Sequence, residues 1–373
     1  MKATVGLPRM HKESGEKRDF LPELVEFLDR AGAGSIVVEQ DYGAGMGLAM
    51  EAYLKASPKV RVGTWEECLA QDVVCVVRCP SDEVLRKVRR GAALLTMCHY
   101  PTRPNRVALL RELGIRAVSM DSLTDDLGER LLQNLEAVGW NGVRMAMREL
   151  AQTYRGFDDP NRRAIRVMVM GAGRVGGHAA RAAIRYGDPA WRDAQVQRGI
   201  PGVEVRIIDF DLTGRENYML DQLERTDLLV DATYRPDPSR YVVPNAWVAA
   251  LPTHAVMLDL SVDPYDFSSD PPAVKGIEGV PEGNLNQFVF KPDDQAYEGM
   301  DPRIDTRHRR TALSCYSWPG VDPRACMQVY GKQVEPILRV LIEQPLDALD
   351  PVRGRFFERA VARADVNRWR SAH

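Results

Sequence analysis

A glycine triplet is the clearest chemical feature of the sequence. Gly171, Gly173 and Gly176 fall in GAGRVG, directly after the apolar run VMVM. In a strand–turn–helix unit, the first glycine permits a tight turn, the second lets the backbone approach a pyrophosphate, and the third lets the helix lie against the sheet. Unpaired N–H groups at the start of that helix favour phosphate. The pattern predicts a dinucleotide site that includes Arg174 and Val175.

Asp209 completes the dinucleotide pattern at the end of the apolar run 203–208. A carboxylate there can accept hydrogen bonds from both ribose hydroxyls and would repel a 2′-phosphate, so NAD is predicted rather than NADP. The acidic residue usually lies about 20 residues beyond the glycines, whereas Asp209 follows Gly176 by 33 residues. We attribute the excess to an inserted loop over residues 188–202, whose prolines and glycines interrupt any helical period.

Three further residues occupy predicted strand ends, where ligands of parallel α/β sheets gather. Arg18 follows the first predicted strand, Arg78 ends DVVCVVR, and His99 ends AALLTMCH. An arginine can hold a carboxylate through two N–H groups, and a histidine exchanges protons near pH 7. Taken singly, each has an ordinary structural interpretation as a solvated charge, a snorkelling side chain or a structural histidine.

Two aspartates follow a later predicted strand, in the segment LDLSVDP. Asp259 or Asp263 could accept a hydrogen bond from water or ammonia, or could orient the histidine. An aspartate before proline is also a common turn residue, so the residues alone leave both interpretations open.

Alternating apolar strands and amphipathic helices predict an α/β fold with two doubly wound domains. A helical pattern over 122–151 connects them, and a second over 325–349 returns the chain to the first. We therefore expect a Rossmann-type dinucleotide-binding domain over residues 136–324. A discontinuous flavodoxin/Rossmann-like substrate domain would comprise residues 1–135 and 325–373, with a cleft between the domains.

The ordered motifs resemble the alanine dehydrogenase / pyridine nucleotide transhydrogenase family over nearly the whole chain. The segments are KESGEKRDFLP, DYGAGMG, DVVCVVRCP, LTMCHYP, VMVMGAGRVGGHAA with IIDFD, LDLSVDP and SWPGVDPR. The resemblance implies that Arg18 and Arg78 bind substrate and that His99 is the acid/base. It favours Asp263 over Asp259 as the catalytic aspartate, and it places Trp318 in a segment that closes over the nicotinamide.

The chain departs from the family at positions that shape the substrate pocket. Arg78 stands where the family has lysine, and Ser317–Trp318 stands where it has asparagine–methionine. SVDP resembles the saccharopine dehydrogenase branch, whose substrates are larger. The first hypothesis is therefore an NAD-dependent amino-acid dehydrogenase, with alanine and pyruvate as first candidates. A saccharopine- or opine-type dehydrogenase and an NAD(H)-binding transhydrogenase-like subunit remain alternatives, and the family resemblance implies a homo-oligomer.

The composition of the chain argues against some kinds of binding partner. Of 373 residues, 45% are hydrophobic and 27% charged, and the net charge of −2 gives no support to a nucleic-acid or anionic-membrane partner. The N-terminus is too polar for a signal peptide, and no apolar run reaches the ~18 residues that span a bilayer. The six scattered cysteines lack zinc-site spacing, so we expect reduced thiols, no metal and a cytoplasmic location.

Overall fold

The computed structural model describes residues 2–11 and 13–370. The chain divides into two compact units. Unit 1 comprises the residues up to Asn134 together with those from Asp322 onward, and unit 2 comprises Leu135–Val321. Each unit is built on a six-stranded sheet that is wholly or mainly parallel. The predicted α/β class with two doubly wound sheets is therefore confirmed.

The N-terminal part of unit 1 supplies a fully parallel sheet. Its strands are β1 (Val5–Leu7), β2 (Ile36–Glu39), β3 (Val60–Gly63), β4 (Val73–Arg78), β5 (Ala93–Met97) and β6 (Arg116–Ser119), and its helices are α1 (Pro22–Arg30), α2 (Met50–Ala56), α3 (Trp65–Leu69), α4 (Asp82–Leu85) and α5 (Pro104–Leu113). The strand order is β3-β2-β1-β4-β5-β6, so the direction of winding reverses beside β1. Since β1, β2 and most of β4 are buried, their apolar sequences match a sheet covered on both faces.

The helix predicted over 122–151 forms only in its second half. Asp125 accepts backbone N–H bonds from Leu127 and Glu129, and a bridge pairs Thr124 with Arg130. This local turn satisfies the backbone before a helix can begin. The helix α6 (Leu135–Thr153) starts after it and packs within unit 2.

Unit 2 carries the second sheet. Its strands are β7 (Ile165–Met170), β8 (Val203–Ile208), β9 (Leu228–Asp231), β10 (Val256–Asp259), β11 (Val289–Phe290) and β12 (Thr311–Ser314), and its remaining helices are α7 (Arg174–Ile184), α8 (Pro189–Gln197), α9 (Phe210–Thr213), α10 (Glu216–Leu223) and α11 (Asn245–Val248). The order is β8-β7-β9-β10-β12-β11, with only β11 antiparallel. The winding therefore reverses between β7 and β9.

The segment 188–202, expected to be an irregular loop, contains the helix α8. Asp188 caps this helix by accepting N–H bonds from Ala190 and Trp191, and Pro189 occupies its first turn. Proline suits this position because the N–H groups of the first helical turn have no partner within the helix, and because the fixed φ of proline matches helical geometry. The expectation of a non-helical loop was wrong because a capping signal was taken for a helix breaker.

The last two helices return to unit 1. They are α12 (Pro323–Glu343), which packs against α1, and α13 (Phe356–Ala364), which packs against α12 and β6. Apolar residues of both helices share one buried core with those of β1, β2 and β4. A fully buried Asp365 beyond α13 pairs with Arg116 of β6, Nη2 to Oδ2 2.6 Å. Among the described residues, no helix is both long and apolar enough to cross a bilayer.

We predict opposite effects for alanine at two adjacent glycines of α7. A Cβ on Gly176 would lie 1.9 Å from the carbonyl oxygen of Gly171, whereas one on Gly177 would meet no atom within 4 Å. Gly176→Ala should lower the free energy of unfolding by about 1–3 kcal/mol because the backbone must move. Gly177→Ala should raise it by up to about 1 kcal/mol through helix propensity. Chemical denaturation measures both, and equal effects would contradict the packing.

Candidate functional site

The glycine loop of unit 2 has the geometry that a dinucleotide requires. Gly171 has a φ of +98°, and a Cβ there would lie 2.5 Å from the carbonyl oxygen of Ala232 beyond β9. Gly173 is the N-cap of α7, and a Cβ on it would meet no atom within 4 Å. The loop therefore combines a left-handed turn, an open backbone face and the N-terminus of an eleven-residue helix at the reversal point of the sheet.

The other predicted dinucleotide residues surround this loop. Asp209 is exposed directly after β8, and the carbonyl of Ile208, the last residue of β8, accepts the Gly171 N–H at 2.8 Å. Its Oδ1 also accepts the N–H of Phe210, 2.9 Å. Arg174 is exposed at the start of α7, and Val175 packs on the core of unit 2. These residues fit a nicotinamide dinucleotide, with the carboxylate of Asp209 available at the sheet edge.

A buried polar network lies at the ends of β9, β10 and β12. The Lys275 ammonium donates to Asp259 Oδ2 at 2.7 Å and to Ser314 Oγ at 3.1 Å. Ser261 Oγ lies 2.9 Å from Asp259 Oδ1 and 3.4 Å from Asp231 Oδ2, joining the two carboxylates. The sequence did not point to Lys275 or Asp231 because their partners come from distant segments.

The two buried carboxylates have pKa values shifted in opposite directions. Burial, together with the nearby charge of Asp259, raises the pKa of Asp231 to about 6, although Thr233 donates two hydrogen bonds to it. Burial alone would also raise the pKa of Asp259, but the ammonium of Lys275 holds it below its usual range. One ammonium thus compensates one of the two carboxylates.

Asp263, the predicted catalytic aspartate, lies in an ion pair at the surface of unit 2. Its Oδ2 accepts a hydrogen bond from Nη2 of Arg235 at 2.7 Å, and the aspartate side chain is 41% exposed while the arginine is 8% exposed. The guanidinium is also held by backbone carbonyls of Arg240, Val274 and Lys275. The preceding Val262 has a φ of +61°, a strained conformation for a β-branched residue. Asp263 is therefore rigidly placed.

Trp318 lies in the core of unit 2 and presents no exposed ring. Its indole N–H donates to the carbonyl of Asp259 at 2.7 Å, its ring meets Phe288 edge-on, and its own carbonyl accepts from Asn141. The Trp318 side chain is fully buried in this structure, and its expected contact with the nicotinamide stays a prediction. Indole burial with a satisfied N–H makes it a packing residue that supports the Asp259 strand end.

In unit 1, Arg18 is buried and already holds a carboxylate. Its Nε and Nη2 donate to the two oxygens of Glu16, 2.8 and 2.5 Å, and both side chains are almost wholly buried. Burial alone would lower the pKa of Arg18, but the Glu16 carboxylate raises it. Cys326 and Tyr330 of α12 also interact with the guanidinium. Arg18 is therefore not a solvated charge but one partner of a buried ion pair with Glu16 in the loop after β1.

Arg78 and His99 come together at the neighbouring ends of β4 and β5. Arg78 is aligned with Met97, two residues before His99, and its Nη2 donates to Glu13 Oε1 at 3.1 Å. His99 has a φ of +54° and is half-exposed. The two side chains interact electrostatically.

Asp121, which the sequence did not single out, orients His99 from the end of β6. Its Oδ1 accepts the backbone N–H of His99 at 3.2 Å and the hydroxyl of Ser119 at 2.7 Å, and its Oδ2 lies 3.6 Å from the imidazole Nδ1. Burial lowers the pKa of His99 below its usual range, Asp121 opposes that shift, and Arg78 reinforces it. At neutral pH the ring is therefore an uncharged base. Within the described ranges, no group of His, Cys, Asp and Glu has the arrangement of a metal site.

Comparisons with known proteins link the chain to one family. Residues 6–137 match the family model described as alanine dehydrogenase/PNT, N-terminal domain. The NAD(P) transhydrogenase subunit alpha of Haemophilus influenzae is 26% identical over 178 residues, which are 46% of this chain and 34% of that subunit. The chain thus matches about a third of that relative's length.

Two further similarities extend over more of the molecule. The alanine dehydrogenase of Bacillus subtilis is 22% identical over 275 residues, 69% of this chain and 70% of that protein. A solved L-alanine dehydrogenase structure is 20% identical and superposes with a TM-score of 0.73, covering 97% of this chain and 94% of its own. The fold is therefore shared over nearly the whole chain.

We predict that Asp231→Asn changes the pH dependence of stability. Because the folded-state pKa of Asp231 is raised from 3.8 to about 6, its ionisation opposes folding as pH rises between those values. Relative to the wild type, the variant should gain about 1–3 kcal/mol of unfolding free energy between pH 4 and pH 7. Urea denaturation at both pH values measures this. The exposed Asp237→Asn is the control, and a pH-independent difference for Asp231→Asn would contradict the burial argument.

Proposed function

We propose that this chain, whose residues 6–137 match the alanine dehydrogenase/PNT N-terminal domain, is an NAD-dependent dehydrogenase that interconverts an amino acid and its 2-oxo acid. The observation that carries the proposal is the His99–Asp121 pair beside Arg78 at adjacent strand ends. The same chain holds a dinucleotide loop in unit 2. In the reductive direction, the net reaction consumes the 2-oxo acid, ammonium, NADH and one proton, and forms the amino acid, NAD⁺ and water.

The residues of unit 2 would hold the nucleotide. The open backbone at Gly173 and the first N–H groups of α7 suit the pyrophosphate, and Asp209 suits the ribose hydroxyls. When bound, the nicotinamide supplies or accepts the hydride. Gly171 and Gly176 act by their small size, because a side chain at either would displace the loop or the helix.

The proton would be exchanged at His99. Since Nδ1 faces the Asp121 carboxylate, Nε2 is the nitrogen left for the substrate oxygen or nitrogen, and the aspartate fixes the ring orientation. In the oxidative direction the neutral imidazole accepts a proton, and in the reductive direction the imidazolium returns it. Arg78, whose Nη2 donates a hydrogen bond to Glu13, would also bind the substrate carboxylate.

Arg18 would act chiefly through Glu16 rather than as a free cation. Both ends of its guanidinium already bind the Glu16 carboxylate, so its contribution is to fix the loop after β1. Asp263, held by Arg235, would accept a hydrogen bond from ammonia or water. A cytoplasmic homo-oligomer stays part of the prediction.

A second candidate is an opine- or saccharopine-type dehydrogenase, in which a larger amine replaces ammonia. It is favoured by the SVDP segment around Asp263 and by arginine rather than lysine at position 78. Spectrophotometry of NADH with 2-oxo acids plus ammonia, against the same acids plus lysine or another amino acid, separates the two. If purified chain binds NADH but consumes none under either condition, a cofactor-binding subunit of the transhydrogenase kind becomes the better hypothesis.

We predict that His99→Gln lowers kcat for amino-acid oxidation by about 10²–10⁴ with little change in NADH affinity, since general acid–base catalysis is lost. In the wild type, kcat/KM for oxidation should fall as the pH drops through the pKa of His99, which burial lowers below its ordinary value of 6.5. This acidic fall in kcat/KM should be absent from the variant. Steady-state rates from pH 5 to pH 9 measure this. His308→Gln, an exposed histidine of unit 2, is the control, and equal activity of His99→Gln and wild type would remove His99 from the mechanism.

We also predict that Asp209→Asn shifts nucleotide preference. Loss of the carboxylate removes repulsion of a 2′-phosphate and weakens the ribose contact, so the ratio of NADPH to NADH affinity should rise about tenfold or more. Fluorescence titration of the bound dinucleotide measures both affinities. Asp211→Asn removes an exposed carboxylate two residues away and should leave the ratio unchanged. A ratio that stays constant in Asp209→Asn would show that Asp209 does not face the ribose.

A further inference from the structure

The strand β8 is the outermost strand at one edge of the unit 2 sheet. In the described part of the chain it pairs with β7 alone, in a parallel register that runs over its whole length. The usual dinucleotide-binding sheet has a further strand outside its second one, in the order 3-2-1-4-5-6. Here the chain passes from β8 to β9 through the helices α9 and α10, and the sheet ends at β8. One hydrogen-bonding edge of β8 therefore faces away from the sheet.

The hydrogen bonds between β7 and β8 show which backbone groups point away from the sheet. The Gly202 carbonyl accepts the Ile165 N–H at 3.0 Å, and the Ile208 carbonyl accepts the Gly171 N–H at 2.8 Å. Successive residues of a strand direct their backbone groups to opposite sides, so the even-numbered residues of β8 face β7. The residues whose N–H and C=O groups face outward are Val203, Val205 and Ile207.

The side chains of β8 alternate between an apolar and a charged face. Val203 and Val205 pack on the core of unit 2, and Ile207, which lies on the same face of the strand, is 45% exposed. Glu204 and Arg206 are exposed on the opposite face. An uncovered edge strand with an exposed β-branched side chain invites pairing with another strand.

The ion pairs that Glu204 makes within the chain are wide and exposed. Its Oε1 lies 3.9 Å from Nη2 of Arg206, and its Oε2 lies 3.8 Å from Nε of Arg166. Exposed pairs at such distances add little stability. Glu204 and Arg206 can therefore meet charges on a partner strand at little cost.

The sequence of β8 is complementary to itself in one antiparallel register. With a two-fold axis at Val205, Glu204 lies opposite Arg206 of the second copy, and Val203 lies opposite Ile207. The outward-facing residues then form the hydrogen-bonded pairs, and the charged residues form the closer pairs between them. An axis at position 204 or 206 would instead place two like charges opposite each other, which is unfavourable.

We propose that β8 is a contact between two copies of this chain, which pair antiparallel about Val205 and join two six-stranded sheets into one. The partner is a second copy because both the charge order and the apolar face of β8 match themselves. The contact forms about six N–H···O bonds between the copies. The paired segment, residues 203–207, ends before Asp209, and the inference does not depend on the proposed dehydrogenase function.

Exchange of the two charges tests the contact in the full-length chain. Glu204→Arg and Arg206→Glu each place like charges opposite each other at two positions, so each variant should weaken association by about tenfold or more. In an equimolar mixture, the two arginines of one variant face the two glutamates of the other, and association should return to the wild-type level. Analytical ultracentrifugation over a concentration series measures this, and thermal unfolding checks that each variant is folded.

Glu112→Arg and Arg86→Glu are the matched controls, because these residues form an equally exposed 3.9 Å ion pair in unit 1. They should leave association unchanged. The inference is overturned if the wild type is monomeric over the whole series, if the β8 variants associate as the wild type does, or if the mixture fails to restore association.

Disulfide trapping tests the register. Opposed residues at the closer positions have Cα atoms about 4.5 Å apart, within the range of a disulfide. A mixture of Glu204→Cys and Arg206→Cys chains should therefore form a cross-linked dimer on mild oxidation, whereas either variant alone should not. The six native cysteines are buried, so the introduced thiols are the ones that react. Cross-linking of either variant alone, or none in the mixture, overturns the register about Val205.

Discussion

The parallel arrangement of strands, with winding that reverses beside the first strand of each unit's sheet, is the constraint on which the rest of the structure depends. Parallel strands place their carboxyl ends at one edge, and reversal leaves an opening there that helices do not cover. In unit 1 this edge gathers Arg78, His99 and Asp121 from three adjacent strands. In unit 2 it gathers the glycine loop and Asp209. Every group assigned a chemical role comes from one of these two edges.

Two of the charged residues predicted to contact the substrate form ion pairs within their own unit. Arg18, which the family resemblance marked as a free substrate cation, holds Glu16 in a buried bidentate pair, and Asp263 holds Arg235. A buried pair adds little net stability, but removing one partner leaves an uncompensated charge. These pairs therefore position their loops.

The family resemblance read from ordered motifs is confirmed, as is the α/β class with two sheets. Most strands were predictable because they are short apolar runs, but β3, β11 and β12 were not predicted. The VRVG sequence of β3 is only partly buried at the sheet edge. The helix α8 was missed because Asp188–Pro189 resembles a break until the aspartate is seen to cap the following N–H groups. The burial of the Trp318 indole in the core of unit 2 was not predicted, because the sequence does not show that its N–H bonds to the carbonyl of Asp259.

The sequence by itself determined the dinucleotide loop and the strand-end residues, because their chemistry depends on spacing within one turn or at the end of one strand. Only the tertiary structure decided which residues form hydrogen bonds and ion pairs with one another in these sites. Lys275 reaches Asp259 and Ser314 from segments 16 and 39 residues away, and Asp121 meets the backbone of His99 from 22 residues away. The physical reason is that hydrogen bonds and ion pairs act over about 3 Å, and only the packing of the sheet brings such distant residues within that range.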